Sequence, residues 1–275
     1  MIKKKNFLKR IFTALVGGGL LIFSSLNQWS FLAIFILIIY FSSTEYYRIL
    51  KENKSNPNKY LGIFLSILIF VSTFVYVAFG TEWLIYYLLI PILPFICLSA
   101  LYTKNNKESL SNVSLTFFGI LYISIPISLL NFIVFDTGVY DSKFLLTSFF
   151  FLWTSESAAY IGGSIFGKNK LFESVSPMKS WEGVLFGFIS NIILAYFLWV
   201  HFNESTYLFW VIFSIVVLIS GIFGDLFESL IKRNLNLKDT GTRLPGHGGF
   251  LDRFDSFFFV IPYVFFYLKI INHLT

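Results

Sequence analysis

A chain of 275 residues that is 56% apolar and only 13% charged, with a mean hydropathy of +0.73, is not an ordinary soluble domain, in which roughly 25% of residues carry charge. The single cysteine, Cys97, lies in an apolar run, which excludes a disulfide framework and a thiolate metal site and gives redox chemistry no support. The net charge of +6 is the excess of Lys and Arg that a membrane protein collects in its cytosolic loops, so no nucleic-acid partner is expected.

In chain order, Lys3, Lys4, Lys5, Lys9 and Arg10 precede an apolar run from Ile11 to about Leu26. A second run, Ser30 to about Ser43, follows too closely for a cleaved signal, so both are expected to stay as a hairpin of spans. Further runs cover 60–79, 84–101, 112–134, 143–163, 183–201, 205–228 and 254–272, each near the ~20 residues that cross a bilayer. The expected fold is therefore all-α: a polytopic integral membrane protein of about nine transmembrane helices. With the N-terminus inside, all but Lys143 and Lys269 of the 21 Lys and Arg residues fall in the segments 1–10, 44–59, 102–111, 164–182 and 229–253. That bias predicts a cytosolic N-terminus and an outside C-terminus. Neither internal repeats nor matched broken helices are found, so residues 1–275 are expected to form one membrane domain. Residues 1–142 would supply scaffold, lipid and subunit contacts, and 143–275 the catalytic half with its cytosolic loops 164–182 and 229–253.

Polar oddities gather after Trp153. Glu156 stands within the sixth run, where a charge at mid-bilayer costs at least ~2.5–3.5 kcal/mol on insertion scales, so it should face a polar cavity or a partner. A hydrogen-bonded glutamate that only stabilises packing is the plainer alternative. Ser176-Pro-Met-Lys-Ser-Trp-Glu-Gly183 can be read as a helix start with Trp181 at the interface, or as a phosphate-binding turn that uses Ser176, Lys179 and Ser180.

The densest mixture of charge is Gly224 to Ser256, GDLFESLIKRNLNLKDTGTRLPGHGGFLDRFDS. Asp225 with Glu228, and Asp252 with Asp255, are i, i+3 pairs that share a helix face. Piece by piece these could be caps, an i, i+4 pair between Glu228 and Lys232, and a Pro245-Gly246 turn. Acids at both helix ends around Gly-His-Gly-Gly instead suit a hard cation bridged to phosphates, with Lys and Arg on the remaining oxygens. That points to phosphoryl or nucleotidyl chemistry.

The run from Ser229-Leu-Ile-Lys-Arg through Lys238-Asp239-Thr-Gly-Thr-Arg-Leu-Pro-Gly-His247-Gly-Gly-Phe-Leu-Asp252-Arg253-Phe-Asp255 resembles the signature of the phosphatidate cytidylyltransferases (CDP-diacylglycerol synthases). Upstream, Ala159-Tyr160, Phe166-Gly167-Lys168, Ser176-Pro177, Lys179 and Trp181-Glu182-Gly183 are similar to that family's second conserved region. The family usually has aspartate at Glu156, commonly lysine at Met178, and often threonine at Ser180. The resemblance implies the reaction CTP + phosphatidate giving CDP-diacylglycerol + pyrophosphate with Mg²⁺, in a multi-pass protein of the cell's inner membrane whose active site faces the cytoplasm. It assigns Asp225 and Asp252 as Mg²⁺ ligands with Asp255 beside them. Lys238 and His247 join them as catalytic residues. Glu156, Ser176, Lys179, Ser229, Lys232, Arg233, Gly248, Gly249 and Arg253 would bind substrate. Partners are CTP, phosphatidate and membrane lipids, and the resemblance also admits a homodimer. A related CTP-dependent polyprenol kinase or another membrane lipid nucleotidyltransferase is the alternative. A channel would instead spread polar residues through the membrane depth.

Overall fold

The computed structural model describes residues 15–80, 94, 96–98, 106–203, 205–241 and 248–274, with the backbone alone for 106, 107 and 272–274. The expected span at 84–101 lies almost wholly outside them, as do His247 and Arg243.

The described chain falls into two compact units, Met1–Ser142 with Leu235–Phe254, and Lys143–Asn234 with Asp255–Thr275. In the first unit a short apolar helix, Leu15–Ser24, precedes α1 (Gln28–Glu52) and α2 (Lys59–Phe79). α3 (Asn106–Gly119) passes through a π-helical turn, Ile120–Ser124, into α4 (Ile125–Val134). The ends follow local chemistry. The Asn27 side chain accepts the Trp29 amide at the start of α1, and Asn58 accepts the Leu61 amide at the start of α2. Gly80, at φ +61°, closes α2 in the left-handed conformation that glycine adopts at little cost.

The interior of this unit is apolar, with Phe31, Phe35 and Phe70 fully buried. Some of its polar side chains are tied to backbone or to one another, which suits a setting where water is scarce. The Tyr46 and Tyr47 hydroxyls donate to Leu115 O and Thr116 O at 3.1 and 2.9 Å. Asn131 Nδ2 donates to Phe70 O at 3.0 Å and to Thr73 Oγ1 at 2.7 Å.

The second unit holds α5 (Lys143–Phe166), the strands β1 (Lys170–Phe172) and β2 (Ser176–Ser180), α6 (Trp181–Phe202) and α7 (Tyr207–Asn234). The helix α8 (Leu251–Leu274) starts in the first unit and continues in the second. Small residues let α5 and α6 approach closely: a Cβ on Gly183 would stand 2.8 Å from Ala159 O, and one on Gly187 3.0 Å from Ser155 O. Phe149 stacks on Phe257 with ring centroids 4.2 Å apart.

Six helices among the described residues are long and apolar enough to cross a membrane. These are the hallmarks of a polytopic helical membrane protein, and they match six of the nine expected runs. The sixth expected run, 143–163, is also helical, but its polar stretch around Glu156 keeps α5 from being as apolar as those six.

Two expectations need correction. α1 does not stop near Ser43 but runs to Glu52, because Thr44, Glu45, Tyr46 and Tyr47 are buried and keep the chain packed. The fold is helical, as expected, apart from one short hairpin, in which β1 and β2 pair antiparallel with Lys170 opposite Ser180 and Phe172 opposite Ser176. Ser176, Lys179 and Ser180 therefore lie on a strand, not on a turn. The hairpin is pinned by Glu182, whose carboxylate accepts the Lys168 amide at 3.1 Å and Asn169 Nδ2 at 2.7 Å. Ser180 is buried and spends its hydroxyl on the Gly183 amide as the cap of α6.

Candidate active site

In the second unit, four elements bring charge together. Asp225 on α7 accepts Lys179 Nζ from β2 at 2.6 Å, and Ser229, one turn along α7, donates its hydroxyl to Asp225 Oδ1 at 3.3 Å. Lys179 also reaches Ile222 O at 3.5 Å. Asp255 on α8 is buried, and its Oδ1 accepts the Ser256 amide at 2.7 Å. The carboxylates of Asp225 and of Glu156, on α5, are near enough to act on Asp255 electrostatically. Glu156 itself is exposed. The close seating of α7 on α8 depends on Gly224, where a Cβ would stand 2.8 Å from both Asp255 O and Ser256 Cα.

Farther along α7, Lys232 forms an ion pair with Glu228, whose side chain is completely buried. Arg233 points elsewhere and donates through Nε to Val175 O at 3.4 Å. The two neighbours thus differ in duty, as residues about 100° apart on a helix must. Replacing one partner of a buried ion pair costs about 3–5 kcal/mol, so Lys232→Met is expected to lower the Tm in detergent strongly and Arg233→Gln hardly at all. Adding Glu228→Gln to Lys232→Met should restore much of the loss; thermal melts of the four proteins decide this.

The first unit holds the other part of the charged stretch. Asp252, in the first turn of α8, accepts the Thr240 amide at 3.0 Å and the Gly249 amide at 2.8 Å, both through Oδ2. Gly248 has φ +88° and sits beside that oxygen. Buried Gly249 packs against the Thr240 hydroxyl and the Glu45 carboxylate. Lys238 and Arg253 are exposed.

Sequence reasoning missed Glu45 and Arg48. Glu45 Oε2 accepts the Leu251 amide at 3.0 Å, and Arg48 Nη2 donates to Thr240 O. The signal was present. An ionisable residue two positions beyond a run of apolar residues, after Ser42-Ser43-Thr44, qualifies by the same argument that singled out Glu156.

Among the described residues, no three His, Cys, Asp or Glu side chains form a group that could hold a metal ion unaided. Paired carboxylates such as Asp225 and Asp255 remain suited to Mg²⁺, which is usually bound by one or two carboxylates together with substrate phosphates.

The sequence model of the cytidylyltransferase family matches residues 8–271. The chain belongs to the cytidylyltransferase family. Its relatives include a phosphatidate cytidylyltransferase of Staphylococcus saprophyticus, 38% identical over 170 residues, which are 61% of this chain and 64% of that protein. One from Staphylococcus aureus is 36% identical over 173 residues, with the same shares. One from Haemophilus influenzae is 42% identical over 131 residues, 45% of each chain. The chain thus spans 64% of the length of the staphylococcal relatives it matches.

Proposed function

We propose that this cytidylyltransferase-family protein joins CTP to phosphatidate, giving CDP-diacylglycerol and pyrophosphate. The observation that carries the reading is the Lys179–Asp225 pair beside buried Asp255, in a chain whose named relatives are phosphatidate cytidylyltransferases. A lysine held by a carboxylate at the end of apolar helices is a point charge that an incoming phosphate can claim. When it does so, an Asp225 oxygen is released.

The chemistry asks little of acid or base groups. A phosphate oxygen of phosphatidate, already anionic, attacks the α-phosphorus of CTP. The bond from that phosphorus to the bridging oxygen breaks, and pyrophosphate leaves with the electron pair. Positioning and neutralisation of charge carry such a step. Asp225 and Asp255 would hold Mg²⁺, which when bound neutralises phosphate charge and aligns the reacting groups. Lys179 orients a phosphate, Ser229 fixes the rotamer of Asp225, and Glu156 adds to the negative field that favours a cation. The reading is tested with purified protein, CTP and phosphatidate, with and without Mg²⁺. It requires Mg²⁺-dependent release of pyrophosphate; release of CDP would favour the polyprenol-kinase alternative.

The proposal extends to topology: about nine spans in the cell's inner membrane, N-terminus cytosolic, C-terminus outside, and the charged loops facing the cytoplasm. Thr240 is buried, so the probe belongs at its exposed neighbour Asp239. In a Cys97→Ser background, Asp239→Cys should react with impermeant thiol reagents only from the cytosolic side and Ser205→Cys only from the other. Labelling of both from one face would contradict this topology.

A further inference from the structure

We propose that Glu45 is a positioning residue for the loop that carries the charged signature, which makes α1 part of the working machinery and not a lipid-facing scaffold. The inference rests on the transferase reading for its kinetic consequence, although the contacts stand by themselves. A carboxylate with no exposed surface, inside a helix apolar enough to cross a membrane, is costly unless its oxygens are engaged. Glu45 Oε2 accepts the Leu251 amide at 3.0 Å. That amide belongs to the first turn of α8, where N–H groups lack helical partners and negative charge is favoured.

The loop is shaped around this carboxylate. A Cβ on Gly241 would stand 2.9 Å from Glu45 Oε1 and 3.0 Å from Arg48 Nη2, and one on Gly249 would stand 2.5 Å from Glu45 Oε2. One turn along α1, Arg48 holds the Thr240 carbonyl. Asp252 then gathers the Thr240 and Gly249 amides onto one oxygen. Thr240, Gly241, Gly249 and Leu251, the described signature residues around Asp252, are therefore held by α1 and the first turn of α8. The clamp fixes the backbone on which Asp252 is carried.

Two readouts test this. In amide hydrogen exchange of the full-length protein in detergent, Glu45→Ala is expected to raise exchange in peptides covering 238–251 at least tenfold, with little change elsewhere. Glu45→Gln, which keeps a carbonyl acceptor, should recover most of the protection. In steady-state kinetics, Glu45→Ala should lower kcat at least tenfold while the KM for phosphatidate stays within twofold, and Glu45→Gln should recover most of that loss. Should Glu45→Ala fail to fold, Arg48→Met gives the decision: its side chain is 37% exposed, and the same local rise in exchange with a three- to tenfold fall in kcat is expected. Unchanged exchange over 238–251, faster exchange without loss of kcat, or equal losses in Ala and Gln with exchange raised throughout the chain would each overturn the proposal. A wild-type protein inert toward CTP and phosphatidate would remove the transferase reading, and the exchange measurement would still judge the clamp.

Discussion

Asp225→Asn should lower kcat/KM by on the order of 10²–10³, the scale seen when one preorganised electrostatic contact is removed from an active site. The substitution keeps the shape of the side chain and the Ser229 contact. It removes the charge that faces Lys179 and that would face a cation. Because Asp225 lies 39% exposed and its ion pair is only partly buried, the folded state should lose little, and the Tm in detergent should stay close to that of the wild type. Activity within threefold of wild type would remove Asp225 from the site. Ser229→Ala is the graded companion, since it deletes only the 3.3 Å contact to Oδ1 and should cost far less.

Gly224→Ala is expected to have the second largest effect, by a different route. The new methyl would meet the backbone of Asp255 and Ser256 at 2.8 Å and Phe259 Cβ at 3.1 Å. Backbone cannot swing aside as the end of a side chain can, so α7 must move away from α8. Overpacking of this kind costs typically 1–3 kcal/mol. The displacement also separates Asp225 from Asp255, and a misplacement of about 1 Å can cost on the order of 10² in rate. Both a lower Tm and a loss of about two orders of magnitude in kcat/KM are expected. Gly19→Ala serves as control, because nothing lies within 4 Å of its new Cβ. Equal behaviour of the two variants would show that the close seating at Gly224 is not needed.

The apolar runs gave the positions of α2, α6 and α8 to within a few residues and marked α7 and the stretch from α3 to α4, since a bilayer demands long uninterrupted apolar stretches. Helix ends were less legible. α1 continues through Glu45 and Arg48 because tertiary contacts, the tyrosine hydroxyls on Leu115 and Thr116 among them, keep it wound where charge density suggested a loop. α7 likewise carries Lys232 and Arg233 on helix to Asn234. The hairpin at 170–180 left no alternating pattern in so short and polar a segment.

In the candidate site, the charge pattern pointed to Asp225, Asp255 and Lys179, and the structure gathers them. The shared faces of the i, i+3 pairs were a poorer guide. Asp225 turns to Lys179 while Glu228 takes Lys232, and Asp252 turns back to loop amides while Asp255 is buried near Asp225. The i, i+4 pair of Glu228 and Lys232 was legible, whereas Lys179 lies far from Asp225 in sequence, so spacing alone could not assign that pair. Glu45 escaped for the same reason, its contact with Leu251 spanning 206 positions.

Transfer of a cytidylyl group to a lipid phosphate can be read from the fate of the phosphorus atoms of CTP. Purified protein would be given phosphatidate and Mg²⁺ with CTP labelled at either the α- or the γ-phosphate, and the label would be followed into the lipid fraction. The α-label is expected to enter the lipid one for one with pyrophosphate released, and the γ-label to stay in the aqueous pyrophosphate. Transfer of γ-label into lipid with release of CDP, or no transfer of either label, would contradict it.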